Sequence, residues 1–237
     1  MINGLYSGAT ALDIFARQQE LVSSNLAHLN TPGHRRMLFS FEEKSQAMGN
    51  QSQPVPGTEV NQIGVDFSQG RHQPTGRQLD LAIQGDGFFA YQGENETIYS
   101  RSGVLFRDAD GQLVNGDGMP ILNDESPIVI PPHISDRDLV IDSAGTVYAK
   151  GAEIGKITVV QFDDNQLLSS ENSTYFRAGE AQPLSGAEVT IHQGMRELSN
   201  AHPVSELISL IIGSRHFEAA QRAIRTISET IQENVRA

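Results

Sequence analysis

Over the first thirty residues, apolar side chains return on a seven-residue period. Met1, Gly8, Phe15, Val22 and Leu29 form one series, and Leu5, Leu12, Gln19 and Leu26 form a second, offset by four. One glycine and one glutamine interrupt an a/d seam of the kind carried by a helix that lies along another helix. Ser7, Asp13, Arg17, Gln18, Glu20 and Ser24 occupy the other faces. Thr31 precedes Pro32 and is pushed out of the α region, so the helix is predicted to stop near Asn30. Pro32-Gly33 then suits the centre of a type II turn, where glycine takes the positive φ.

From about residue 198 to the end the helical period returns. Asn200 or His202 can cap this second helix, Pro203 fits its first turn, and Gly213 is its one glycine. Leu210, Phe217, Ile224 and Ile231 recur every seven residues, and Leu207, Ile208, Ile211, Ala220, Ile227 and Val235 widen the stripe. At roughly 1.5 Å per residue this helix reaches on the order of 50 Å, long for a domain of this size.

Between the helices the period changes. From Val65 to Ile191 short β-branched or aromatic runs, such as LDLAI, GFFAYQ, TIYSRS, PIVI, TVYA, ITVVQF and EVTIH, alternate with turn signals such as Asp110-Gly111, Asn115-Gly116 and Asp117-Gly118. The pattern predicts an all-β domain. Residues 44–64 are polar, contain Pro and Gly, and read as an exposed connection. The expected class is α+β: an N-terminal assembly helix and turn (1–36), a linker (37–64), a β-rich domain (65–197) and a C-terminal assembly helix (198–237).

Composition narrows the function. The formal net charge is −12, and the densest basic group among seventeen Lys and Arg is the pair Arg35-Arg36, so the footprint of a nucleic-acid or anionic-lipid partner is missing. No apolar run approaches the ~20 residues that span a bilayer, and the N-terminus lacks the basic and hydrophobic blocks of a cleavable signal. The absence of cysteine excludes disulfides, thiolate catalysis and cysteine-ligated zinc.

Four candidate chemistries are weak. Gly85-Asp86-Gly87-Phe88-Phe89-Ala90 satisfies the dinucleotide fingerprint G-x-G-x-x-[GA], but strand-forming residues follow it where a helix should begin, and Asp86 puts a carboxylate where a phosphate would sit. Gly85 and Gly87 are read instead as structural turns that return the chain to the sheet, with Phe88 or Phe89 facing the core. Asp108-Ala109-Asp110-Gly111 opens like a calcium loop but lacks the later glycine and glutamate, and reads as a β-turn. The seven histidines form no metal-binding i, i+4 pair, and no G-x-S-x-G elbow supports a hydrolase. No cofactor is expected.

Three motifs carry a resemblance. The first is Asn25-Leu26-Ala27-His28-Leu29-Asn30-Thr31-Pro32-Gly33-His34-Arg35-Arg36. The second runs from Gly76 to Phe89 and continues through Tyr99-Ser100-Arg101-Ser102-Gly103 and Asp110-Gly111-Gln112-Leu113-Val114. The third comprises Ser199-Asn200, Glu206, Arg215-His216-Phe217-Glu218 and Ile224. In order and spacing they span nearly the whole chain, which resembles the bacterial flagellar rod and hook family, and within it the rod subunits that carry a β-domain. His28 stands where that family commonly has asparagine, His34 where it has an aromatic, and Ser214-Arg215-His216 where it has Gln-Arg-Ala. Proximal-rod and distal-rod types both stay open.

The resemblance implies a structural, non-catalytic subunit of the flagellar basal body. It would pass through the flagellar export apparatus without a cleaved signal and stack helically in the periplasmic space. Its partners would be copies of itself and other rod or hook proteins, with no nucleic acid and no direct membrane insertion. The assembly interface is expected at Leu5, Leu12, Phe15, Val22, Asn25, Leu26, Leu29, Asn30, Leu207, Leu210, Ile211, Phe217, Ile224, Ile227 and Ile231, with Pro32, Gly33, Gly85 and Gly87 shaping turns. The seams are expected to lack a partner in the monomer and to order as a coiled coil on assembly. A secreted β-domain oligomerised by a coiled coil, as in an adhesin, is the alternative; a hydrolase on a β-scaffold is a third.

Overall fold

A computed structural model describes residues 2–42, 59–123, 126–184 and 189–236. Most of the segment read as a linker, 43–58, lies outside them, as do the side chains of Leu5 and Val235. The described residues form two long helices, α1 (Ile2–Ala27) and α2 (Pro203–Arg236), and a central region of short strands. It forms two compact units. One contains residues 1–27, 37–64 and 201–237, and the other contains 28–36 and 65–200. No helix among the described residues is long and apolar enough to cross a membrane.

In the first unit α1 and α2 pack along each other. The expectation that the seams have no partner in a single chain is therefore corrected, because each helix supplies the other's. Three contacts fix the pairing as antiparallel. A Cβ on Gly8 would lie 2.6 Å from Ile224 Cγ1, the rings of Phe15 and His216 have centroids 5.4 Å apart, and Asn25 Nδ2 donates to Glu206 Oε2 at 3.3 Å. Gly8 is thus no interruption of the seam: its missing side chain makes room for the isoleucine. Strands β1 (Met37–Glu42) and β2 (Glu59–Val65) pair as a ribbon at the two ends of the supposed linker.

Two helix boundaries differ from expectation. α1 ends at Ala27, so Leu29 and Asn30 lie beyond it in a turn, where Thr31 N donates to His28 O at 3.0 Å. α2 begins at Pro203, and Glu206 N donates to His202 O. Asn200 does not cap it. Its side chain accepts from Arg36 N at 2.7 Å and donates to Asp66 O and Ser68 O.

The β-rich unit is built from several small antiparallel sheets. Strand β3 (His72–Pro74) pairs with Met195–Glu197. Strand β4 (Asp80–Gln84) lies between Thr190–Gln193 and β7 (Gly103–Val104). Strands β5 (Phe88–Gln92) and β6 (Thr97–Ser100) form a hairpin in the middle of a six-stranded sheet, flanked by Val159–Phe162 on one side and Tyr175–Arg177 on the other. The Gly85–Gly87 turn therefore does not fold one strand back into its own sheet, as expected; it carries the chain from one sheet to another. Gly85 has φ 102°, a conformation open to glycine. A Cβ on Gly87 would lie 2.8 Å from Val159 Cγ1.

Both phenylalanines after this turn are buried, on opposite faces of the strand. Phe89 joins the larger apolar cluster with Leu81, Ile83, Tyr91, Leu105 and Ile130. Phe88 joins a smaller one with Val65, Phe162, Leu168 and Phe176.

Candidate assembly site

On α1 the buried side of the helix is Ile14, Leu21, Val22 and Asn25, with Leu12, Phe15 and Leu26 half-buried. Ile14 and Leu21 fall outside the heptad series: a 3.6-residue helix drifts relative to a strict seven-residue repeat. On α2 Leu210, Phe217, Ile224, Ile227 and Ile231 are half-buried on the face that carries Glu206, Gly213 and the contacts to α1.

Leu207 and Ile211 do not belong to that face. At about 100° per residue they fall with Val204, Ile208 and Ile212 on the opposite side of α2. These five are 68%, 50%, 52%, 55% and 47% exposed in the order Val204, Leu207, Ile208, Ile211, Ile212. The broad stripe read from the sequence is therefore two stripes. One is satisfied inside the chain, and the other, confined to the first three turns of α2, is open. Contiguous exposed apolar residues of this kind mark an interaction surface rather than a folding core.

Where the end of α1 meets the start of α2 the contacts become polar. Asn25 is 1% exposed, and Glu206 is fully buried. The Asn25 amide bridges to β1 by donating to Met37 O and accepting from Met37 N, both at 3.0 Å. One side chain thus satisfies a strand end and reaches the buried carboxylate of α2, which explains an asparagine in an otherwise apolar series.

The motif after α1 has a different task. Residues 28–36 belong to the β-rich unit. Gly33 has φ 72°, and His34 N donates to Thr31 O at 3.3 Å, the turn expected at Pro32-Gly33. Gly33 N donates to Glu197 O and Arg35 N to Ser173 O. A Cβ on Gly33 would sit 2.2 Å from Ser102 N. Gly33→Ala is therefore expected to destabilise the β-rich unit by at least about 2 kcal/mol, from the left-handed backbone and the collision together, as read by urea denaturation.

The basic pair Arg35-Arg36 is not a surface footprint. Arg35 is fully buried and donates from Nη2 to Glu197 Oε1 at 2.6 Å and from Nη1 to Ser68 O at 2.9 Å. Glu197 Oε1 also accepts from Gly70 N at 2.7 Å. Arg101, 1% exposed, lies 3.7 Å from Glu197 Oε2, donates to Gly85 O and stacks over Phe88 at 5.2 Å. Burial, reinforced by the neighbouring Arg35 charge, lowers its pKa to about 10. Asp86, placed in the supposed phosphate loop, is exposed and 3.9 Å from Arg101. These three buried charged residues come from positions 66 and 96 residues apart along the chain, and no local spacing announces them. The one available signal was that Arg35 and Arg101 each lie inside a family motif.

The remaining candidate chemistries are structural where they are described. Asp108 Oδ1 accepts from Asp110 N and Gln112 N, closing the Asp110-Gly111 turn. His192 contacts Gln84, and His216 packs against Phe15 with the rings tilted by 46°. A cleft of about 980 Å³ beside the β5–β6 hairpin is lined by Glu94, Glu96, Asp117 and Glu171. Three of these are engaged, Glu96 and Glu171 by Arg177 and Asp117 by the Tyr175 hydroxyl.

Residues 82–149 match the flagellar hook protein FlgE/F/G D1 domain, and residues 192–235 match the flagellar basal body rod FlgEFG protein C-terminal domain. The chain is 30% identical to the flagellar basal-body rod protein FlgG of Bacillus subtilis, over 99% of this chain and 98% of the relative. It is 30% identical to the flagellar basal-body rod protein FlgF of Caulobacter vibrioides, over 97% and 95%, and 27% identical to FlgF of Salmonella typhimurium, over 97% and 95%. With both terminal motifs and the β-rich unit accounted for along its length, the chain belongs to the flagellar basal-body rod and hook protein family.

Proposed function

We propose that this protein is a structural subunit of the flagellar basal-body rod that polymerises into an open helical array through its terminal helices. The observation that carries the proposal is the second apolar face of α2, formed by Val204, Leu207, Ile208, Ile211 and Ile212 and left open after α1 has packed on the first. In this reading the two helices of one subunit form a preassembled pair. Leu12, Phe15, Val22, Asn25 and Leu26 hold it together with Leu210, Phe217, Ile224, Ile227 and Ile231. The outer face of α2 then takes a helix of the next subunit, so assembly joins finished pairs.

Its neighbours are copies of itself and other rod and hook proteins, and it performs no catalytic step. It is delivered by the flagellar export apparatus without a cleaved signal and takes its place in the periplasmic span of the basal body. The lack of cysteine fits that route. Electron microscopy of the concentrated purified protein tests the assembly. Open helical polymers are expected, whereas a small closed oligomer would refute the proposal. Basal bodies imaged from a strain lacking the gene are expected to carry a rod truncated at a definite level.

A further inference from the structure

The segment that follows α1 contains a histidine whose ring has no hydrogen-bond partner among the described residues. His34 is 1% exposed, and neither Nδ1 nor Nε2 has a hydrogen-bonding partner among the described residues. Its ring stacks on that of His28, with centroids 4.8 Å apart and an interplanar angle of 23°. His28 is exposed and has its own contact to Thr31 Oγ1 at 3.2 Å. On the other side of His34 in the chain is Arg35, buried and paired to Glu197, with Arg101 behind the same carboxylate and Asp86 at the rim. Besides His34 itself, the charged and titratable groups of this region are thus three basic side chains, His28, Arg35 and Arg101, and one buried acid, with a further acid in solvent.

We propose that His34 is an acid-sensitive latch: protonation of its ring releases residues 28–36 from the β-rich unit. The neutral ring fits as an aromatic slab against His28. The imidazolium would bring two N–H donors with no acceptor among the described residues and a further cation beside His28 and Arg35, the latter's buried carboxylate being already shared with Arg101. The folded state therefore resists the proton that the unfolded chain accepts. The backbone anchors of the segment, Gly33 N to Glu197 O and Arg35 N to Ser173 O, flank the ring and open when it leaves.

The direction of the pH dependence follows. Burial, with the neighbouring His28 and Arg35 charges, lowers the pKa of His34 from 6.5 to about 4. Between those values the unfolded chain binds more protons than the folded one, so stability rises with pH across the window and is lost as pH falls through it. Residues carrying an ordinary aromatic at this position would have no such limb.

The test uses the full-length monomer, so its outcome is independent of whether the protein polymerises. Wild type and His34→Phe are compared by urea denaturation from pH 7 to about 4, with amide hydrogen exchange at Gly33 and Arg35. The wild-type midpoint is expected to fall across the window, and protection at the two amides to fall with it. The phenylalanine variant, which keeps the stack, is expected to show a flatter profile. Equal slopes in the two proteins overturn the proposal. If His34→Phe does not fold, the wild-type ring decides by NMR titration: a depressed midpoint supports the latch, and an ordinary midpoint near 6.5 overturns it.

Discussion

Replacing Ile208 and Ile211 together by aspartate is expected to abolish polymerisation while leaving the monomer folded. Both side chains are more than half exposed in the single chain, and both lie on the face of α2 turned away from α1. The substitutions therefore remove nothing from the intramolecular seam, and far-ultraviolet circular dichroism and the urea midpoint should stay near wild type. In a polymer each isoleucine would contribute about 1.5–3 kcal/mol on burial. Losing two of them weakens each subunit contact by about 3 kcal/mol or more, at least a hundredfold in affinity, before the cost of burying carboxylates. Sedimentation and electron microscopy measure this directly. Wild-type polymer yield from the double variant would show that the outer face is not the interface.

The comparison with Phe15→Asp or Ile224→Asp separates the two faces. Phe15 packs against the His216 ring, and Ile224 fills the space left by Gly8. Charges there strike the helix pair itself, so helicity of the monomer and polymerisation should be lost together, with the β-rich unit still folded.

The second large effect is expected at Glu197. Glu197→Gln removes the buried carboxylate that faces both Arg35 and Arg101, and leaves the two buried guanidinium groups with only the exposed Asp86, at the rim beside Arg101, as a nearby counter-charge. Breaking a buried pair in this way costs about 3–5 kcal/mol. The β-rich unit should lose a large share of its stability, since domains of this size are held by about 5–15 kcal/mol. Adding Arg101→Met to Glu197→Gln is expected to recover part of the loss, because one stranded cation is withdrawn. A double-mutant cycle by urea denaturation measures the coupling. Strict additivity of the two substitutions would contradict the shared-carboxylate arrangement.

Much of the architecture was legible because it is local. Heptad spacing announced both helices, and the change to short β-branched runs announced the β-rich unit between them. The Pro32-Gly33 turn follows from the backbone preferences of two adjacent residues. What could not be read was set by geometry across the chain. Leu207 and Ile211 share a stripe with Leu210 when residues are counted on paper, but the α1 contact divides that stripe into an inner and an outer face. Gly8 counted as a flaw in the seam until Ile224 was placed over it. Arg35-Arg36 stood out only as the densest basic group, yet Arg35 is buried against a glutamate 162 residues away. Asn200 suited a helix cap by position and instead binds Arg36, Asp66 and Ser68. Polar residues that serve distant segments carry no periodic signal, so the buried charges were the part of the molecule least visible beforehand.

The turn at Gly85–Gly87 has one more consequence. Phe88 and Phe89 are neighbours in the chain, yet each anchors a different apolar cluster. Their Cα atoms are one peptide link apart, about 3.8 Å, so neither cluster can loosen without dragging the backbone that the other holds. Val159 and Val160 repeat the arrangement on the neighbouring strand, one packed on each cluster, so the two cores are coupled and the β-rich unit should melt in one transition, with calorimetric and van't Hoff enthalpies equal. For a part that must carry load, that is a useful property: strain entering through either sheet is shared by both before anything yields.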